Sequence, residues 1–261
     1  MENRGLKRLF EISILSILFL TNVSSEEIET TKTPAEAVEE EKDWEIGAEI
    51  DFNSQYIWRG MEYSKGAIMN PQAWITWKEW TFYVWSNMVL NDEPTQGDFN
   101  EFDYYLTYSK ELGKFTLEPS VVYYMYLDQE DSPDTAEASI YLSYDFSPFE
   151  IFTRHTVDFV AYDWAYFIEN GVTYTQELND KLSFESTVSV GNGNNRFNKA
   201  YVGVNENAWN YIEFDFSFTY NITDNVYVRP HAEYVVILDH DLRNELDNTV
   251  FNAGGAIGVT F

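Results

Sequence analysis

The sequence predicts an all-β fold, a transmembrane antiparallel up-and-down β-barrel of about twelve strands, and three observations predict it. Apolar residues recur at every second position in stretches longer than soluble strands use. Short connections alternate with long polar ones. The final stretch from Val250 repeats the pattern: Phe251, Ala253, Gly255, Ile257, Val259 and Phe261 share one face, while Asn252, Gly254, Ala256, Gly258 and Thr260 share the other. A mean hydropathy of -0.37 excludes a helical membrane protein. It does not exclude a barrel, because a barrel's lumen face is polar.

In chain order, Arg4, Lys7 and Arg8 precede an apolar run from Ile12 to Leu20 and then Asn22-Val23-Ser24-Ser25. Residues 1–24 therefore read as a secretory signal peptide, and the run is shorter than the ~20 residues that an uncleaved membrane anchor needs. Residues 25–43 hold Glu26, Glu27, Glu29, Glu36, Glu39, Glu40, Glu41 and Asp43 against Lys32 and Lys42. With so few apolar residues they read as an acidic, disordered periplasmic spacer. The barrel is assigned to residues 44–261.

The first barrel segment is long: Trp44, Ile46, Ala48, Ile50, Phe52, Tyr56 and Trp58 alternate with Glu45, Glu49, Asp51, Asn53, Gln55 and Arg59. A tilted membrane strand needs ~9–11 residues and a soluble one about five or six, so length favours a barrel over a soluble sandwich. Further strands are expected over Met69 to Trp77, Trp80 to Leu90, Glu101 to Ser109, Phe115 to Leu127, Glu137 to Phe146 and Phe149 to Phe159. Four more follow over Tyr166 to Thr175, Lys181 to Gly191, Asn210 to Ile222 and Val226 to Leu238. The connections Lys78-Glu79, Lys110 to Lys114, Ser147-Pro148, Gln176 to Asp180 and Thr223 to Asn225 are tight. Those at Gly60 to Ile68, Asn91 to Asn100, Asp128 to Ala136, Val160 to Ala165, Asn192 to Trp209 and Asp239 to Thr249 are long and polar. An up-and-down barrel with short periplasmic turns and long outer loops has this alternation.

Beside the tight turns and the termini, Trp44, Trp77, Trp80, Tyr108, Phe115, Phe146, Phe149, Tyr174, Tyr220 and Phe261 all fall on the apolar phase. That is an interfacial girdle, since mere strand propensity would scatter aromatic residues through both phases. Tyr56 and Trp58 are assigned to the opposite girdle. Phe261 also resembles the C-terminal assembly signal of bacterial outer-membrane barrels, which makes the assembly machinery and outer-membrane lipid expected partners.

A formal net charge of -28 argues against nucleic acid as a partner and favours cations. Cysteine is absent, so neither a disulfide nor a cysteine-based metal site contributes. No cofactor motif is present.

Ser54-Gln55-Tyr56-Ile57-Trp58-Arg59-Gly60, then Ser64, Gly66 and Gln72, resemble the opening strand of the TorF family of Gram-negative porins. Phe82-Tyr83-Val84-Trp85-Ser86-Asn87, Glu101-Phe102-Asp103 with Tyr108, and Tyr123-Tyr124-Met125-Tyr126 extend the resemblance, which runs from about Trp44 to Thr175 and weakens afterwards. The acidic spacer and the glycine-rich last strand depart from the family pattern. The resemblance implies an outer-membrane barrel acting as a porin, with no settled solute and no catalytic residues.

The polar phase places Glu49, Asp51, Glu101, Asp103, Glu118, Glu213, Asp215 and Glu233 in the lumen, with Glu45, Glu137, Asp145, Glu150, Asp158, Glu169 and Glu185. Facing them are the bases Arg59, Arg154, Arg229 and Lys181, too few to neutralise the acids. A cation-attracting pore for small cationic or neutral polar solutes is one reading. The plainer one is that inward strand faces simply need polar residues. Inward Trp74, Trp85, Tyr105, Tyr124 and Tyr126 constrict the passage or offer rings for a solute to stack on. A structural or surface-receptor barrel that does not conduct is the alternative, and the sequence specifies no oligomeric state.

An enzyme is disfavoured. Barrel lipid hydrolases place a serine two residues after the histidine so that both share a face, whereas here the triplets are His155-Thr156-Val157, His231-Ala232-Glu233 and His240-Asp241-Leu242. The loop acids Asp128, Glu130, Asp131 and Asp134, and Asp239, Asp241, Asn244 and Asp247, lack EF-hand spacing and read as solvated loops without a metal.

Overall fold

The computed structural model describes residues 43–91, 96–127, 129 and 132–261. The expected signal peptide and nearly all of the spacer lie outside the described residues, as do Asp128, Glu130 and Asp131. The strands are β1 (Trp44–Asn53), β2 (Tyr56–Trp58), β3 (Met61–Ser64), β4 (Ile68–Trp77), β5 (Trp80–Val89), β6 (Phe99–Tyr108), β7 (Lys110–Leu112) and β8 (Phe115–Tyr126). They continue as β9 (Thr135–Phe146), β10 (Phe149–Asp158), β11 (Tyr166–Asn179), β12 (Leu182–Gly193), β13 (Ala208–Asn221), β14 (Val226–Ile237) and β15 (Thr249–Thr260). One helix, α1 (Asn195–Tyr201), and a 3-10 turn at Leu242–Asn244 lie in the long loops. Among the described residues no helix is long and apolar enough to cross a membrane.

Every neighbouring pair in the wall is antiparallel, and β6 and β7 both pair with β8, so together they form one wall strand interrupted at Ser109. β1 closes the ring against β15, from Gly47 opposite Thr260 to Asn53 opposite Gly254. Phe261 extends that ladder by donating its N–H to the Ile46 carbonyl at 2.9 Å. The result is a closed twelve-stranded barrel without a free sheet edge.

The period-two reading holds around the wall. Trp44, Ile46, Ile50 and Phe52 are exposed on the outside, as are Phe251, Ile257 and Phe261, whereas Glu49, Asn252 and Ala256 are buried inside. Of the expected girdle, Trp44, Trp77, Trp80, Phe115, Phe146, Phe149, Tyr220 and Phe261 are exposed at the short-turn end. Their rings pair across strands, Trp80 with Tyr108 at 5.1 Å and Phe149 with Tyr174 at 5.2 Å between centroids. The glycine-rich last strand has a packing reason: a Cβ at Gly258 would lie 2.3 Å from the ring of Tyr227, its register partner.

Two expectations are corrected. The first strand does not run through to Arg59. It ends at Asn53: the Ser54 N–H makes a last ladder bond to the Ala253 carbonyl at 3.0 Å, Asn252 across the closing seam accepts from the Ser54 N–H at 3.1 Å and the Ser54 hydroxyl at 3.0 Å, and beyond this point the chain turns inward. Arg59 and Gly60 then take φ values of 51° and 79°, the two left-handed positions of a tight hairpin turn, and β2 pairs back on β3. Tyr56 and Trp58 are therefore not in an outer girdle. Their rings lie inside, Tyr56 against Trp85 at 5.5 Å and Trp58 against Tyr124 at 6.3 Å. The second correction is that the loop expected over Asn192 to Trp209 carries α1, whose start is capped by the Asn194 side chain accepting from the Phe197 N–H at 2.8 Å. The walls on either side also run further than expected, to Asn179, Gly193 and back to Ala208.

Candidate functional site

The lumen has two parts of different character. At the long-loop end it is packed: Met61 from the hairpin, Phe197 from α1, Leu242 from the 3-10 turn and the wall residues Phe167, Tyr211, Val235, Ile237 and Val250 form one buried apolar cluster. Ile57, Trp58, Tyr162 and Tyr201 pack against it. Fully burying each such side chain stabilises by about 1.5–3 kcal/mol. Gly60 sits so close beneath the Tyr211 ring that a Cβ there would come within 2.7 Å of it.

Arg59 fixes this insert to the opposite wall. Its Nη1 and Nη2 donate to the two carboxylate oxygens of Glu137 at 2.8 and 2.7 Å, a bidentate pair in which Glu137 is 1% exposed. Tyr124 donates to the same carboxylate at 2.8 Å. The guanidinium also lies 4.2 Å from the Trp58 ring centroid and 5.0 Å from that of Phe167. Arg59 thus reaches the lumen, as the sequence suggested, but from the tip of an inward hairpin rather than from the wall.

Beside and beyond the apolar cluster the lumen is lined by carboxylates in polar networks. Glu49 accepts from Tyr227 at 2.5 Å, from Arg229 at 2.7 Å and from Gln72, which itself accepts from Tyr83. His231 meets Asp51 at 2.9 Å. Arg154, half exposed to the lumen, lies 3.6 Å from Glu169, which also accepts from Ser189 and Tyr211. Glu118 accepts from Ser109 at 2.8 Å, and Trp74 donates to Glu45 at 3.4 Å. All three predicted lumen arginines are therefore engaged by acids.

Two acid groups lack such a base. Glu101 and Asp103 are adjacent on the inward face of β6, with Tyr105 donating to Asp103 at 3.3 Å and the other Asp103 oxygen buried without a hydrogen-bond partner. Glu213, Asp215 and Glu233 each bring one carboxylate oxygen within 4.8 Å of the others, close enough to share a metal ion or a proton. No metal set was read from the sequence, and the register explains why: Glu233 is on the next strand and lies directly opposite Asp215. The predicted rings Tyr124 and Tyr126 are parallel with their centroids 6.4 Å apart, next to Trp58 rather than along an open slide.

Glu137, Glu169, Tyr227, His231 and Gln72 hold the network together, yet only their inward phase was visible in the sequence. The histidines have the partners Tyr166 and Thr153 for His155, Asp51 for His231 and Asp241 for His240. In the loop expected to be merely solvated, Asp239 accepts backbone N–H donors from Asp241 and Leu242 at 2.8 and 3.1 Å. Burial acts to raise its carboxyl, but these two donors hold it below the usual range. It works as a turn cap.

No protein-family model matches the sequence, and no curated protein does. Solved structures do. The NanC porin is similar over 83% of this chain and 98% of its own, with a TM-score of 0.52 at 16% identity. The KdgM porin is similar over 82% and 98%, with a TM-score of 0.52 at 9% identity, and its complex with disordered oligogalacturonate scores 0.50 at 10% identity. At these identities the likeness establishes the porin-type barrel fold.

Proposed function

We propose that the chain is an outer-membrane porin-like channel, exported by residues 1–24, that passes small cationic or neutral polar solutes by passive diffusion. In this reading it is a TorF-like porin, the spacer over 25–43 lies in the periplasm, and Phe261 is the assembly signal. Lipid and the assembly machinery are its partners, and it is not an enzyme. The observation that carries the reading is the inward carboxylate excess after Arg59, Arg154 and Arg229 have each been taken up by an acid. An acidic saccharide such as oligogalacturonate, present in one of the similar structures, would meet repulsion in this lumen. Fold likeness therefore does not carry the solute across.

In planar bilayers the protein is expected to form small channels that favour cations at ~0.1 M salt and lose that preference near 1 M, as the screening length falls from ~10 to ~3 Å. Glu213→Gln, Asp215→Asn and Glu233→Gln together should lower the preference while heat-modifiable gel migration is kept. Anion preference, or an unchanged ratio in the triple variant, would overturn the reading. The packed long-loop end favours a second one: a barrel shut by its own hairpin, serving as a receptor or opening only when the hairpin leaves. A silent bilayer from correctly folded protein would support it.

A further inference from the structure

On the outside of the wall, where β10 and β11 reach the long loops, an open groove of about 650 Å³ is lined by Val157, Trp164, Tyr166, Asn194 and Arg196. Val157 and Tyr166 are register partners on the outward phase, so the floor of the groove continues the apolar outer wall. Arg196 also borders a second depression, lined with it by Tyr162, Asp163, Ala200 and Lys199, the last one helical turn further along α1. Both cations are exposed. Arg196 spends one donor on the Asp163 carbonyl at 3.0 Å, and Lys199 has no ion pair among the described residues. Among the described residues neither cation is in an ion pair, although Asp163 lines the same depression, and two such cations side by side are unusual in a chain of net charge -28.

Trp164 marks the same place. It is 65% exposed and takes φ 65°, a left-handed conformation that costs a bulky residue about 1–3 kcal/mol. The neighbourhood holds it there: its N–H donates to the Asp158 carbonyl at 3.0 Å, and its carbonyl accepts from Asn194 at 2.9 Å. An indole so placed sits at the rim, where aromatic rings favour the boundary between apolar chains and polar headgroups.

We infer that this groove binds one phosphorylated glycolipid of the outer leaflet, its acyl chain along Val157 and Tyr166, Trp164 at the boundary, and its phosphate on Arg196 and Lys199. The occupant follows from two features: the floor is continuous with the lipid-facing wall, and the cations stand at its loop-side end, where an anionic headgroup would lie. The inference rests on the outer-membrane reading above, but not on conduction.

The test uses the full chain in detergent micelles, with native mass spectrometry counting bound lipid A. Wild-type protein should retain one lipid A. The folded double variant Arg196→Ala, Lys199→Ala should bind it about tenfold or more weakly, since each charge-assisted contact contributes on that scale. Lipid A stripped of its phosphates should bind wild type as weakly as lipid A binds the variant, and excess inorganic phosphate should not displace the lipid. Equal retention by the folded variant, equal binding of the dephosphorylated lipid, or full displacement by inorganic phosphate would each overturn the inference. A silent bilayer with lipid retention intact would instead count against the channel alone.

Discussion

The wall of this barrel and the hairpin lodged inside it are held by different physics. Each wall strand is laddered on both sides along most of its length, and its outward residues need only be apolar. Stability is spread, and no single side chain dominates. The hairpin is a two-stranded sheet of its own, too small to persist alone, and it hangs on a few contacts: Arg59 on Glu137, Trp58 and Met61 in the apolar cluster, and Gly60 under Tyr211. A wall strand is thus specified by pattern and an insert by particular atoms. The wall should tolerate any change that keeps the phase, whereas the hairpin should fail one residue at a time.

The sharpest way to break that contrast is Arg59→Met. It leaves a buried, charged Glu137 without its base, a loss of about 3–5 kcal/mol for a pair of this kind. Limited proteolysis should then cut within residues 54–67 while heat-modifiable migration of the barrel persists; uniform destabilisation of both would erase the distinction. For the wall, Ile140→Arg puts a charge on the outward face near mid-strand and should cost about 2–4 kcal/mol in urea unfolding from lipid. Its neighbour Ser139, on the inward phase, should accept Arg with well under half that cost. Equal effects at the two positions would mean that the phase assigned to β9 is wrong. Within the hairpin a smaller effect than that of Arg59→Met is expected for Gly60→Ala, about 1–2 kcal/mol from the left-handed backbone and the Tyr211 ring. It should show as faster hydrogen exchange in β2 and β3 with the wall unchanged.

The same division explains what could be read from the residues alone. The closed barrel, its strand number and the inward set of acids follow from alternation, because each Cβ in a strand has only two sides to point to. Alternation therefore puts Glu49, Asp51, Asp103 and Glu233 on the inward phase. It does not give their partners, since Arg229 reaches Glu49 across the seam between first and last strands, a relation set by register rather than by local sequence. Tyr56 and Trp58 were misplaced because period two continues past Asn53 although the strand does not. Capture of Ser54 by Asn252 is a contact over 198 residues, and nothing near Ser54 announces it. The Arg59-Gly60 turn had one local sign, a glycine followed by a further short alternating run. In α1, Asn194 three residues before Phe197 was a capping signal hidden in a polar loop.

The seam also makes the order of closure matter. Arg59 and Glu137 are 78 residues apart and Ser54 and Asn252 are 198 apart. The entropic difference is small, ~0.6 kcal/mol for each doubling of loop length, so neither contact has a decisive head start. A hairpin that docks before β1 and β15 pair takes its seat on an open, curling sheet, and the closing seam then shuts the ring around it. A hairpin that misses this interval would have to enter through the long-loop mouth of a finished barrel, past α1 and the 3-10 turn. Slow maturation after insertion, with late protection of residues 56–64, is the kinetic trace such a route would leave.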